Sequence, residues 1–126
     1  MKYKNILLID DDQDDQEIFV NALDKITNDV EYVAYTNASE ALSKLEKKEL
    51  TPDVIFLDLN MPIMSGQEFL KEIKSKEALR QIPIIIFSTS SNPATIAETK
   101  ELGAHNFITK PNKFHALVDL LKPYFE

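Results

Sequence analysis

Residues 5–12 have the sequence Asn-Ile-Leu-Leu-Ile-Asp-Asp-Asp, a short apolar run that ends in three acids. Two later segments repeat the pattern: residues 53–57 contain Val-Ile-Phe-Leu before Asp58, and residues 83–87 contain Ile-Ile-Ile-Phe before Ser88. Apolar runs of this length without polar alternation are typical of strands covered on both faces. They predict a parallel sheet between two layers of helices.

Segments with helical spacing separate these runs, so that a β-α unit repeats about five times. This alternation predicts a doubly wound α/β fold, in which right-handed crossovers place the carboxyl ends of all strands at one edge. Ligands of such folds bind at that edge, beside the point where the strand order reverses. We expect further strands at 30–35 and 105–109, and helices at 13–26, 39–48, 65–76, 92–102 and 112–125, the last with Phe114, Tyr124 and Phe125 on its inner face.

The composition narrows the classes of partner. The chain has 126 residues, with 21 Asp and Glu against 14 Lys and Arg, and a net charge of −7. This acidic balance argues against a nucleic acid or an anionic membrane surface as the partner. The lack of cysteine excludes disulfides and thiolate metal sites. No segment approaches the roughly 18–20 apolar residues of a membrane span, so we expect a cytoplasmic protein.

Polar residues follow four of the five predicted strands at the carboxyl edge. The acids at 10–12 follow the first strand, Asp58 the third, Ser88 the fourth and Lys110 the fifth. Clustered carboxylates repel one another unless a divalent cation neutralises them, and carboxylate oxygens suit Mg²⁺ or Mn²⁺. Asp58 is a candidate nucleophile that would form an aspartyl phosphate, and the Lys110 ammonium can pair with a phosphoryl oxygen. The edge therefore predicts phosphoryl chemistry.

These motifs, in this order, resemble the receiver domains of two-component response regulators, and in scale the stand-alone regulators of chemotaxis. The resemblance extends over about residues 4–124 and implies one receiver domain, 1–126. It also implies a flavodoxin-like fold with five parallel strands in the order 2-1-3-4-5. The matching motifs are Ile9-Asp10-Asp11-Asp12, Asp58-Leu59-Asn60-Met61-Pro62, Gly66, Phe87-Ser88-Thr89, Gly103-Ala104 and Thr109-Lys110-Pro111.

The resemblance assigns a metal site and a phosphoacceptor. Asp58 would accept the phosphoryl group and contact the metal. Asp11 would bind Mg²⁺ directly and Asp10 through water, and Asn60 would contribute its backbone carbonyl. Mn²⁺ is the alternative ion.

The resemblance also assigns a switch. Lys110 would contact the phosphoryl group, and the Lys110–Pro111 bond would be cis. Ser88 would move toward the phosphoryl group together with the loop that begins at Thr89, and the Phe107 ring would turn inward. Ser88 replaces the commoner threonine and Phe107 the commoner tyrosine, so this ring has no hydroxyl. Plain core packing of Phe107 stays an alternative.

The implied function is phosphorylation-controlled signalling. A histidine kinase or histidine phosphotransfer protein would donate the phosphoryl group, and the chain would catalyse only its own phosphorylation and dephosphorylation. Phosphorylation would change how the face of the fourth helix, fifth strand and fifth helix binds an unknown downstream protein. The chain would be a monomer or a phosphorylation-dependent homodimer. We expect no output domain, because nothing follows Glu126.

Three alternatives stay open. An aspartyl-phosphate phosphatase would need a second acid two residues after Asp58, where the chain has Asn60. A receiver fold that binds partners without phosphorylation would usually lack one of the acids or the lysine. A flavin domain would need a phosphate loop where this chain has acids. The role of the additional acids Asp12, Asp14 and Asp15, in partner choice or in helix capping, is open at the level of sequence.

Overall fold

Five parallel strands form the central sheet, and helices alternate with them along the chain. The computed structural model describes residues 3–126. Every element begins and ends within two residues of its predicted bounds. The elements are β1 (Asn5–Ile9), α1 (Gln13–Ile26), β2 (Glu31–Tyr35), α2 (Ala38–Glu46), β3 (Val54–Leu57), α3 (Gly66–Ser75), β4 (Ile84–Ser88), α4 (Pro93–Glu101), β5 (Asn106–Thr109) and α5 (Phe114–Phe125).

The strand order is β2-β1-β3-β4-β5, which confirms the predicted doubly wound topology. The order reverses between β1 and β3, where Ile9 pairs with Leu57 in parallel register. Because both strands end level, the residues that follow them, Asp10 and Asp58, are brought side by side. The Asp58 backbone N–H donates to the Ile9 carbonyl at 2.9 Å and fixes this alignment.

Apolar side chains fill both faces of the sheet. On one face α1 and α5 cover a core in which the Phe19 ring meets Phe56 at 5.0 Å and Phe87 at 5.6 Å, both edge to face. On the other face α2 and α3 cover a core that includes Phe69 and Leu70. Residues of β1, β3 and β4 are buried on both sides, as their unbroken apolar sequences predict.

Two features of the packing differ from the expectation. Among the described residues, the edge strand β2 pairs with β1 alone, and its Tyr32 and Val33 side chains are 47% and 44% exposed. The prediction that Phe114 lies on the inner face of the last helix is wrong, since its side chain is 41% exposed. Phe114 is the first residue of α5 and lies at the carboxyl edge, whereas Leu117 and Leu121 further along the helix are buried.

The predicted cis bond before Pro111 is also wrong. Between the described residues every peptide bond is trans, including Lys110–Pro111. The trans form before proline is intrinsically favoured by about 0.5–1 kcal/mol, and only surrounding contacts reverse that preference. Here the Lys110 backbone N–H donates to the Ser88 carbonyl at 2.7 Å with the bond in its trans form.

Candidate functional site

Three carboxylates meet at the carboxyl edge of the sheet. Asp10 and Asp58 follow β1 and β3 and are 1% and 7% exposed, whereas Asp11 is exposed to solvent. One carboxylate oxygen from each of the three lies within 4.8 Å of the others. Oxygen ligands at this spacing, with one side open to water, fit a divalent cation such as Mg²⁺ or Mn²⁺. The grouping agrees with the set of acids proposed from the sequence.

Lys110 reaches this cluster from the end of β5. Its ammonium lies 2.8 Å from Asp10 Oδ2, 2.9 Å from Asp15 Oδ2 and 3.7 Å from Asp58 Oδ1. The ammonium also lies 5.3 Å from the centre of the Phe87 ring, within the range of a cation–π contact. The lysine is therefore an internal counter-ion of the acids, and its side chain is only 11% exposed.

Burial makes the charges of this site costly. It raises the pKa of Asp58 to about 6; the Lys110 ammonium opposes that change, and the neighbouring Asp10 adds to it. Burial also raises the pKa of Asp10, against the hydrogen bond from Lys110. For Lys110 itself burial acts to lower the pKa, but the bonds to Asp10 and Asp15 outweigh it and leave the pKa above its ordinary value.

The three additional acids have different positions. Asp12 is the N-cap of α1, and its side chain accepts hydrogen bonds from the backbone N–H groups of Asp14 and Asp15. Asp14 is exposed, whereas Asp15 pairs with Lys110. Sequence reasoning did not assign Asp15 to the site. The available signal was its place in the first turn of a helix that follows a site strand, where side chains can reach back to the carboxyl edge.

The loop after Asp58 packs tightly against α3. Gly66 opens that helix, and its N–H donates to the Leu59 carbonyl at 2.9 Å. A Cβ on Gly66 would overlap the Asp58 carbonyl oxygen and lie 2.8 Å from Leu59 Cα. Asn60 lies in this loop and is exposed. Gly66 therefore allows the close approach that holds the segment of Asp58 and Leu59 in place.

The residues assigned to the switch are spread along the adjoining strands. Ser88 is fully buried at the end of β4, and its Oγ accepts a hydrogen bond from the Ser90 N–H at 3.2 Å. Thr89 is exposed. Phe107 is half-buried in β5, beside Ile86 and two positions before the residue that pairs with Ser88. The structure brings together Asp10, Asp11, Asp58 and Lys110. Among the described residues, no side-chain hydrogen bond or ion pair joins Phe107 or Thr89 to this group.

Gln16 is a second residue that the sequence interpretation missed. Its side-chain amide donates to the Asp10 carbonyl at 2.8 Å and to the Tyr35 carbonyl at 3.0 Å. It thereby ties the end of β1 to the end of β2.

Among the described residues, no helix is both long and apolar enough to cross a bilayer.

Comparison with known proteins identifies the family. Residues 6–122 match the model described as the response regulator receiver domain. Response regulator Rcp1 of Synechocystis sp. is 32% identical over 124 residues, which cover 94% of this chain and 82% of Rcp1.

Solved structures agree with this family in both fold and sequence. The phosphorylated cyanobacterial phytochrome response regulator RcpA has a TM-score of 0.87 at 33% identity, covering 96% of this chain and 90% of RcpA. The Mn²⁺-bound form of Rcp1 has a TM-score of 0.85 at 29% identity, covering 95% of this chain and 90% of that one. With its acidic cluster and buried lysine at the edge where parallel strands end, the chain belongs to the response regulator receiver domain family.

Proposed function

We propose that residues 1–126 act as a single receiver domain that accepts a phosphoryl group on Asp58 from a phosphohistidine. The convergence of Asp10, Asp11, Asp58 and Lys110 on one edge of the sheet is the observation that carries the proposal. The donor would be a histidine kinase or a histidine phosphotransfer protein. The phosphorylated state of the relative RcpA supports the same chemistry here.

The acidic cluster would hold Mg²⁺, with Mn²⁺ as the alternative. The ligands would come from Asp10, Asp11, Asp58 and the backbone carbonyl of Asn60. The donor set supports this assignment because it consists of oxygen atoms, and the Mn²⁺-bound form of the relative Rcp1 is consistent with it. When bound, the cation would neutralise negative charge that builds up on the transferring group.

The transfer itself needs one nucleophile and one cation from the chain. An Asp58 carboxylate oxygen bonds to phosphorus as the phosphorus–nitrogen bond breaks, and the departing imidazole keeps that electron pair. Lys110, whose ammonium lies 3.7 Å from Asp58 Oδ1, would neutralise the phosphoryl oxygens. The chain would thus catalyse its own phosphorylation by the donor, and later its own dephosphorylation by water.

Phosphorylation would then change a binding surface formed by α4, β5 and α5. Ser88 and Thr89 would move toward the phosphoryl group, and Phe107 would become more buried. The backbone bond from Lys110 to Ser88 links the two strands that would change together. The recipient of the signal would be a downstream protein or a second copy of the chain, which makes the domain a monomer or a phosphorylation-dependent homodimer.

The geometry favours this function over the phosphatase alternative. A phosphatase of that type needs a general acid two residues after its nucleophile, and the exposed amide of Asn60 cannot exchange a proton near neutral pH. The alternative of phosphorylation-independent binding makes a different prediction about ligands, which the following experiment separates.

Beryllofluoride, an inert mimic of the phosphoryl group, tests the proposal. With Mg²⁺ present, we expect it to shift amide NMR signals around Asp58, Ser88 and Phe107 and along α4, β5 and α5. Asp58→Asn should abolish every shift, whereas Asp24→Asn, an exposed acid on α1, should leave them unchanged. Binding that changes no signal beyond the site would refute the switch, and no binding by the unsubstituted protein would refute the phosphoacceptor.

A further inference from the structure

Asp15 is a charged member of the site to which the proposed function gives no role. It lies in the first turn of α1, and its Oδ2 lies 2.9 Å from the Lys110 ammonium. That distance nearly equals the one between Lys110 and Asp10, and both are shorter than the 3.7 Å to Asp58. The lysine is thus held between Asp10 and Asp15 rather than on the acceptor.

The two partners of Lys110 differ in how firmly they hold it. The Asp10 side chain is 2% exposed, whereas that of Asp15 is 32% exposed. A contact open to water is the weaker one and is broken more easily. A divalent cation on Asp10 and Asp58 would also neutralise their charge, and Asp15 would then be the anionic partner left to the lysine.

We propose that Asp15 is a positioning residue that competes with the phosphoryl group for Lys110. In the unphosphorylated protein it draws the ammonium away from Asp58. When the phosphoryl group arrives, the lysine must give up this contact to neutralise the new oxygens. Asp15 would therefore disfavour the phosphorylated state. This inference rests on the proposed function of Asp58.

The helix supplies a matched control. Asp14 and Asp15 both lie in the first turn of α1, and both backbone N–H groups bond to the Asp12 side chain, at 2.9 and 3.3 Å. Substitution of either acid by asparagine removes the same charge from the helix terminus and keeps the backbone cap. Only Asp15→Asn removes a contact with Lys110. Asp14 is exposed, and among the described residues it forms no ion pair with Lys110.

A fluorine NMR titration of beryllofluoride at saturating Mg²⁺ measures the competition. We expect Asp15→Asn to bind the mimic more tightly than Asp14→Asn does, by about 1.4- to 5-fold, the range that corresponds to the energy of a partly exposed ion pair. Asp15→Glu keeps the charge and the reach to Lys110 and should return the affinity to that of the unsubstituted protein.

Three results would overturn the inference. Equal affinity of Asp15→Asn and Asp14→Asn would show only a general effect of charge. Weaker binding by Asp15→Asn would mean that Asp15 assists Lys110 instead of competing with it. Failure of the unsubstituted protein and of Asp14→Asn to bind the mimic would refute the proposed function as well, so the two failures are distinguishable.

Discussion

At the scale of the residue, burial disfavours the charged form of the Asp58 carboxyl, and the pKa of this group shows the size of the effect. Its pKa of about 6 exceeds the ordinary value near 3.9, with burial as the main cause. A raised pKa means that ionised Asp58 destabilises the folded state of the metal-free protein. The contribution of protonated Asp58 to the free energy of unfolding is fully present below about pH 4 and is lost as the pH rises through 6.

We therefore predict that Asp58→Asn stabilises the metal-free protein at pH 7. The variant removes a charge whose burial costs about 2–3 kcal/mol, from a pKa difference of about two units at 1.36 kcal/mol each. Urea unfolding at pH 7 and at pH 4 measures the difference in the free energy of unfolding between the variant and the unsubstituted protein. At pH 4 this difference should be a small fraction of its value at pH 7. Asp24→Asn should show no such pH dependence, and an Asp58→Asn protein less stable than the parent at pH 7 would contradict the account.

At this scale the sequence identified the residues whose position follows from a strand end. Asp10, Asp58 and Lys110 each come directly after a strand, so their place at the edge is a consequence of the topology. Asp15 and Gln16 were missed because their contacts depend on the orientation of the first turns of α1 against the sheet. The prediction of a cis Lys110–Pro111 bond was wrong because the energy difference between the two isomers before proline is small, and the local sequence does not determine which one forms.

At the scale of the element, the turn from β3 into α3 holds Asp58 in place. We predict that Gly66→Ala lowers the free energy of unfolding by about 1–3 kcal/mol, because the new methyl group would displace the Asp58 carbonyl and Leu59. The same displacement should weaken divalent metal binding, measured by a Mn²⁺ titration of the folded variant.

Gly103→Ala is the control for this prediction. Gly103 has a φ of 105° after α4, so alanine is strained there, but its neighbours are carbons of the Lys74 side chain and not of the site. It should lower stability while Mn²⁺ affinity stays that of the parent. Unchanged metal binding in Gly66→Ala would contradict the idea that this turn positions Asp58.

Elements were predictable where local chemistry marks their ends. Asn92 and Pro93 open α4 and Gly103 follows it, as the sequence pattern predicts. The exposure of β2 and of Phe114 was not predictable in this way. The exposure of β2 follows from its place at the edge of the sheet, and that of Phe114 from its place beyond the carboxyl ends of the strands. The composition of a segment does not indicate either position.

At the scale of the whole molecule, metal binding should stabilise the fold. A ligand that binds only the folded state adds about 2.7 kcal/mol at a concentration 100 times its Kd. We predict that Mg²⁺ or Mn²⁺ raises the midpoint of thermal unfolding, and that a chelator reverses the rise. Asp11→Asn removes one proposed ligand from an exposed position and should lose most of this gain. A gain of equal size in Asp11→Asn would place the ion elsewhere.

The global arrangement was predictable because the pattern repeats. Unbroken apolar runs alternating with helices allow few topologies other than a doubly wound sheet, and the order 2-1-3-4-5 came from the resemblance of the motifs. The proposed switch depends on more than this pattern. Ser88 and Phe107 lie on the neighbouring strands β4 and β5, so a rearrangement of either residue acts on the pairing of both strands.

The mass of the intact protein after brief incubation with acetyl phosphate and Mg²⁺, quenched in acid, tests the central claim most directly. We predict the gain of one phosphoryl group in the unsubstituted protein and in Asp24→Asn, and none in Asp58→Asn or without the divalent ion. Labelling that persists in Asp58→Asn would contradict the assignment of the acceptor. Absence of labelling in every sample, together with no binding of beryllofluoride, would contradict phosphorylation as the function of this domain.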